Sequence, residues 1–590
     1  MARRDPHDRP RERTRGAGGE ATVYRDRARR LGLSFAPVVD LGRNPRSDVA
    51  AIRSATFAMS SDGPRLAYVA PEGDAVPAIL HWLSTYPTAR SRLRVTTPSA
   101  IRAALVAAEQ EKLATDAVTR LAARRPDLSA RRVVTVGQVM VAAIAVAGAI
   151  AAAVLAPVAT ILTINLVGAG LFFAVTALRF LAAGHAARRP RPVADVARDT
   201  EEELPVYSIL VPLVDEASLV PGLVAALASI DWPDDKLDVK FLLEADDRAT
   251  VAAVRRAAVG GTFEMVIVPP VGPRTKPKAL AYALPMCRGE FLTVYDAEDR
   301  PHPGQLREAF AAFAETGDEV ASLQSALVVD NRRPNWLSRS FAVEYAALFD
   351  AVLPTLAALA MPLPLGGTSN HFRRAALEDV GGWDPFNVTE DADLGLRLAR
   401  FGYRSGTLDL PTLEEAPTTF VAWLKQRTRW SKGWMQTWLV HTRRPVRLMR
   451  ELGFRGFVGF NLISTGLIVS SLVYPVYLAM LAGVLLDPLH LWGDGSPFAA
   501  IVVGVNVFNL FAGYLAMAVL GRRALRLRGR EREAAALFLL PVYWLMTSLA
   551  TYRALFQLFT RPHHWEKTPH TPRAMGSVTG RNARRRPSVP

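Results

Sequence analysis

Carboxylates recur in this sequence where chemistry would need them. Asp215 and Glu216 follow one apolar run, Glu244, Asp246 and Asp247 a second, and Asp296, Glu298 and Asp299 a third. Mg²⁺ or Mn²⁺ shared with a diphosphate takes oxygen ligands, typically one or two carboxylates. Asp296 and Glu298, two residues apart, can point at the same ion. An exposed acidic turn is the competing reading of that string. Further on, Thr389, Glu390 and Asp391 precede Asp393 and a helical pattern that runs to Arg400. A carboxylate there can take a proton from an acceptor hydroxyl. Acids at a helix start also complement its dipole, so Asp391 alone does not decide between the two.

Two more groups belong with these. Gly366, Gly367, Thr368 and Ser369 precede a helical pattern. Free N–H groups at such a point hold anions, or the residues merely cap the helix. Gln426 lies three and four residues before Arg429 and Trp430, so the three share one helix face. Arg429 can neutralise a leaving diphosphate, and Trp430 can stack on a sugar ring. Trp434 and Trp438 read as a membrane-interface belt.

The elements that must position these groups alternate strand and helix. Residues 207–213, 239–243, 265–268 and 291–295 read as strands, and 219–230 as a helix. The pattern is α/β with a mostly parallel sheet. In such sheets ligands gather at the carboxyl ends of strands, where the acids fall.

Apolar segments flank this middle. No charged residue occurs from Val133 to Leu178, long enough for two crossings with a turn at Ala156 and Pro157. Arginines border both ends, which predicts that both lie on the cytoplasmic side. Phe457–Leu486 and Phe498–Leu520 read as further crossings, the first of them partly interfacial. Ala535–Phe559 poses a parity problem, because a full crossing would put Arg584–Arg586 outside. A re-entrant or interfacial segment, or an extra crossing, would keep the C-terminus cytoplasmic. The expected organisation is therefore a disordered basic tail over 1–28, a small domain over 29–126 and a helix pair over 133–180. A cytoplasmic domain over 204–440, transmembrane or interfacial helices over 455–560 and a basic tail over 561–590 complete it.

Composition agrees with a membrane protein. The 590 residues are 50% hydrophobic, with 71 Lys and Arg against 55 Asp and Glu, a net charge of +16. Mean hydropathy is +0.12. The basic excess sits at the tails and beside apolar runs, which suits membrane lipids rather than nucleic acid. The one cysteine, Cys287, cannot form an intrachain disulfide and reads as a small buried thiol.

The order Glu244, Asp296-x-Glu298, Thr389-Glu390-Asp391 and Gln426-x-x-Arg429-Trp430 resembles the processive, membrane-integrated family 2 glycosyltransferases, such as bacterial cellulose synthase and hyaluronan synthase. The resemblance implies a nucleotide-diphospho-sugar transferase domain of GT-A type between transmembrane helices. It also implies a nucleotide-sugar donor, either UDP-glucose or UDP-N-acetylglucosamine, and inverting transfer to a growing polysaccharide coupled to export. By the same resemblance Glu216 and Glu244 bind the nucleoside, with Asp246 competing for that role, and Lys276 binds the donor. Asp296 and Glu298 bind the metal-diphosphate, Asp391 is the base, and Gln426, Arg429 and Trp430 hold diphosphate and acceptor. Asp-x-Glu departs from the family's Asp-x-Asp by one methylene. The string from Trp565 resembles the tail of related bacterial enzymes. Single transfer to a lipid or polyprenyl acceptor is the alternative, and an inactive scaffold or sensor is the reading from another class.

Arg30-Leu-Gly-Leu-Ser-Phe35 and the stretch from Thr97 to Ala104 resemble the N-terminal domain of type II secretion ATPases. That resemblance implies either cyclic di-GMP binding or a partner protein at this region.

Overall fold

A computed structural model describes residues 16–42, 49–61, 66–72, 74–188, 203–257, 263–331, 334–486 and 497–566. The expected outer loop at 487–496, the first fifteen residues and the tail beyond 566 lie outside these.

The N-terminal unit has a four-stranded sheet, β1 (Ser34–Phe35), β2 (Phe57–Met59), β3 (Ala67–Val69) and β4 (Leu93–Val95), in the order β1-β4-β3-β2. Gly16–Leu31 is helical, which corrects the expectation of disorder through residue 28. Tyr24, Ala28 and Leu31 are spaced as one helix face and are buried, so an apolar stripe runs through the arginines. The unit is tied to the central sheet by charge. Buried Arg102 donates to Glu264 at 3.2 Å. Fully buried Lys240 also reaches Glu264, at 2.6 Å, and Asp238 at 3.0 Å.

The central sheet uses β5 (Tyr207–Leu213), β6 (Leu237–Glu244), β7 (Phe263–Val268), β8 (Phe291–Val294), β9 (Arg300–Pro301), β10 (Val320–Val329), β11 (Asn370–Arg373) and β12 (Arg404–Glu414). Their order is β7-β6-β5-β8-β11-β10-β12-β9. From β7 to β8 every pairing is parallel, as is β10 with β12. β11 runs antiparallel between β8 and β10, and β9 antiparallel beside β12, so the sheet is mixed. Strands β5 and β6 are buried almost throughout, which explains their continuous apolar runs.

Among the described residues six helices are long and apolar enough to cross a membrane. Val136–Leu155 exposes nearly its whole surface, and Pro157–Arg188 follows it across the turn at Ala156. Pro445–Leu486 bends at Gly453, whose φ of 66° only glycine adopts easily. Pro497–Leu527 ends beside the central sheet, where Arg528 pairs with Asp350 and donates to the Leu327 carbonyl of β10 at 2.9 Å. Leu540–Thr560, like Pro497–Leu527, is one-sided. Val542, Leu545, Leu549, Tyr552, Phe556 and Phe559 form one exposed apolar stripe, while Tyr543, Ala550, Ala554 and Leu558 are buried. The sixth, Trp336–Ala358, is mostly buried and was not foreseen in the sequence.

Candidate active site

One cavity of about 680 Å³ begins at the carboxyl ends of β5, β6 and β8 and continues between the apolar helices. Its wall contains Glu216, Glu244, Lys276, Asp296, Glu298, Thr368, Glu390, Asp391, Gln426, Arg429 and Trp430. Asp246 and Ser369 are absent from it. Asp246 turns outward to Arg274, 3.2 Å away, so of the two acids weighed for one role it is Glu244 that reaches the cavity. Buried Ser369 donates to Thr412 Oγ1 at 2.6 Å and ties the residue before β11 to β12 across β10, which makes it a framework residue.

Asp296 and Glu298 leave β8 in a tight turn fastened by Asp299. The Asp299 carboxylate accepts from the Asp296 N–H at 2.6 Å and from the Thr368 hydroxyl, which itself also contacts the Val294 carbonyl. Lys276 opens the Lys276–Ala283 helix, pairs with Asp296, and donates to the Gly367 carbonyl at 2.6 Å. One lysine thus spans the acidic turn and the glycine segment.

Asp391 lies in the first turn of the Glu390–Arg400 helix, held over the cavity by two packing constraints. A Cβ on Gly433 would come within 2.3 Å of the Thr389 side chain, so only glycine lets the Phe420–His441 helix approach this turn. Buried Asp393 accepts from Arg397 at 2.8 Å and meets His441 Nε2 at 2.8 Å. Arg400 can only donate, and it contacts His441 Nδ1 at 2.9 Å. Nδ1 is therefore the acceptor, and Nε2 carries the proton toward Asp393. Asp393 is an anchor, and Asp391, two residues earlier, is left facing the cavity.

The electrostatics follow from crowding. Burial, then Asp296, pushes Glu298 up to about 7. Burial, then Asp391, pushes Glu390 up to about 7, and burial with Glu298 takes Glu414 up to about 8. Burial also raises Asp391. Burial alone would push Lys276 down, but Asp296 and Glu390 carry it up to about 12. Arg429 faces Glu390, Asp296, Asp391 and Glu298. So many carboxylates beside two cations leave a deficit of positive charge.

A divalent cation fits that deficit. All the donors are oxygens, and Asp299 Oδ1 is buried without a hydrogen-bond partner. Among the described residues no three His, Cys, Asp or Glu side chains form a ready-made ligand set. One or two protein carboxylates completed by substrate phosphates is how Mg²⁺ is usually held.

The remaining expected groups divide. Glu244 is buried and accepts from Lys278 at 3.0 Å. Gln426 Oε1 is buried without a partner at the cavity wall, and so can take a ligand's hydroxyl. Trp430 stacks on Tyr345 at 6.2 Å with Arg427 against its face at 4.8 Å, so much of its surface is committed to packing. Trp434 lines the cavity, and Trp438 donates to Asn461 at 3.1 Å, so each has a place beyond an interface belt. Cys287 is buried, as expected, and its thiol is pushed up to about 12.

Two more residues at the site, Arg274 and Glu414, had no local signal, while Trp565 opens the tail string already noted. Arg274, Glu414 and Trp565 line the cavity, with Trp565 stacked on Arg429 at 5.1 Å. The segment through Glu566 is tied down by Lys432, which donates to the His564 carbonyl at 2.6 Å, and by Arg553, 2.6 Å from Glu566.

Sequence comparison agrees with this chemistry. Residues 291–519 match the family described as glycosyl transferase family group 2. A probable glycosyltransferase, YdaM of Bacillus subtilis, is 26% identical over 53% of this chain and 74% of its own length. β-Monoglucosyldiacylglycerol synthase of Trichormus variabilis is 26% identical over 47% of this chain and 59% of its own. Cellulose synthase 1 catalytic subunit of Komagataeibacter xylinus is 28% identical over 40% and 32%. The match thus spans little more than half of the cyanobacterial relative and a third of the cellulose synthase subunit. The chain has the expected α/β domain set among apolar helices, and its residues 291–519 are similar to the family 2 glycosyltransferases.

Proposed function

We propose that this chain transfers a sugar, with inversion, from a nucleotide-diphosphate donor to a hydroxyl acceptor at the membrane surface. The observation that carries the reading is convergence. Asp391, Asp296, Glu298, Lys276 and Arg429 come from separate segments and line one cavity that continues between the apolar helices. UDP-glucose and UDP-N-acetylglucosamine are the donors the motifs suggest. Glu216 and Glu244 stand at the nucleoside end.

Asp391 takes the acceptor's proton as the hydroxyl oxygen bonds to the anomeric carbon. The bond from that carbon to the diphosphate breaks, and its electron pair leaves with the nucleoside diphosphate. Lys276 and Arg429 meet the charge that develops there. Asp296 and Glu298 would hold Mg²⁺ or Mn²⁺, which when bound supplies further charge neutralisation to the diphosphate. Kinship supports both a glycan and a lipid acceptor, since one relative is a cellulose synthase subunit and another a glucolipid synthase.

The membrane arrangement we infer has four crossings: Val136–Leu155, Pro157–Arg188, the part of Pro445–Leu486 beyond Gly453, and Pro497–Leu527. Leu540–Thr560 lies along the surface. Its start follows Arg530, which contacts the Val329 carbonyl of β10, and its end leads to His564, held by Lys432. Both ends therefore meet the catalytic domain, which supports an even number of crossings. Arginine-rich flanks favour the cytoplasmic side of the plasma membrane for this domain. The N-terminal unit is a docking or sensing unit, supported by Arg102 reaching the sheet edge.

Asp391→Asn tests the base. In reconstituted full-length protein it should slow transfer about 1,000-fold with donor affinity little changed. An unchanged rate would remove Asp391 from the mechanism.

A further inference from the structure

The membrane end of the cavity holds a cation that the transfer chemistry does not use. Arg179, in the Pro157–Arg188 helix, lines the cavity and lies 5.2 Å from the Trp544 ring. Among the described residues it makes no hydrogen bond. The acid that faces it is Glu344. That carboxylate is already taken: Arg427 donates to it through two nitrogens, one at 2.6 Å, and Tyr543 donates at 2.8 Å. Two guanidiniums thus share one carboxylate, leaving one positive charge in a wall that combines apolar groups such as Phe172, Val175, Leu178, Met517 and Leu520 with uncharged hydroxyls. A charge among apolar helices is costly and is normally paired or functional. Arginine is also the side chain best matched to phosphate oxygens.

We propose that the acceptor is a membrane phospholipid with a hydroxylated headgroup, its phosphate on Arg179 and its acyl chains along the apolar wall. The proposal rests on reading this cavity as the acceptor site. The headgroup hydroxyl then bonds to the anomeric carbon and passes its proton to Asp391, while the nucleoside diphosphate leaves. A water-soluble glycan has no group that calls for a guanidinium at this depth. An uncharged diacylglycerol would fill the apolar wall and leave the charge unmatched.

Binding of dioleoylphosphatidylglycerol to the purified full chain in neutral detergent, with no nucleotide sugar present, tests this apart from catalysis. Arg179→Gln should weaken binding about tenfold or more, and Arg179→Lys less, since a guanidinium–phosphate contact is charge-assisted. On the unaltered protein, dioleoylglycerol should compete far more weakly than the phospholipid, a comparison that needs no folded variant. Equal binding of the two lipids, or unchanged phospholipid binding by Arg179→Gln, overturns the proposal. With labelled donor in phosphatidylglycerol vesicles, label should extract with lipid. Label confined to a water-soluble polymer also overturns it. A protein that binds the phospholipid as expected but turns over no nucleotide sugar would instead contradict the transferase reading.

Discussion

The two ends of the cavity carry opposite imbalances. At the strand ends Asp296, Glu298, Glu390, Asp391 and Glu414 crowd around Lys276 and Arg429. At the membrane end Arg179 and Arg427 share Glu344. The first end raises the proton affinity of its acids and calls for a cation. The second calls for an anion. An unmatched charge in a wall of low dielectric is a statement about the ligand, because the ligand is what can neutralise it.

Removing the cation should break the acidic end first. Chelation of divalent metal should reduce transfer about 1,000-fold, with recovery on adding Mn²⁺ or Mg²⁺, as scintillation counting of product would show. Arg429→Ala should cost about 100-fold in kcat, with a smaller change in donor Kd, because its charge is needed most as the diphosphate leaves.

The pH dependence sharpens the same contrast. Glu390 sits at about 7 against an ordinary 4.5, through burial and then its neighbour Asp391, so the pair shares a proton below neutrality. Transfer should rise about tenfold as pH climbs toward neutrality and the pair loses its last proton. Stability should move the other way. At Glu390 the folded state binds more protons than the unfolded chain over this window, so the stability this group contributes is full below about pH 4.5 and is lost as pH rises through about 7. Thermal unfolding across pH in metal-free buffer reads it.

The smallest effect belongs to Gly367. A Cβ there would stand 3.4 Å from Asp391 Oδ2 and 3.9 Å from Lys276 Nζ, narrowing the space between base and lysine. Gly367→Ala should lower kcat by about a few-fold, since misplacement of reacting groups is costly even when no charge is lost. Steady-state kinetics with unchanged circular dichroism would check it.

What was legible in the sequence follows the same divide. Strands β5 to β8 could be read because continuous apolar burial marks them, and their terminal acids could then be placed. Strands β10 and β12 could not, because Ser322, Gln324 and Ser325 are buried within hydrogen-bonding partnerships that interrupt the apolar run. Ser369 looked like an anion-binding loop residue, yet its side chain turns to Thr412, and its positive φ of 57° marks a backbone kink that composition does not reveal. Arg179 looked like a topology flank. Only the packing of helices distant in sequence puts it at a cavity wall beside Trp544. Asp296 and Glu298 were legible because they follow a strand locally, and Glu390 and Asp391 through the order of the motifs, while Glu414 and the basic end were hidden because tertiary contacts alone assemble them.

The most direct test of the central claim is turnover of labelled nucleotide sugars by full-length protein reconstituted in vesicles with divalent metal. The account predicts that a nucleotide sugar is consumed, with nucleoside diphosphate released in step with labelled product. A protein that neither binds nor turns over any nucleotide sugar in the presence of Mg²⁺ or Mn²⁺ would contradict it.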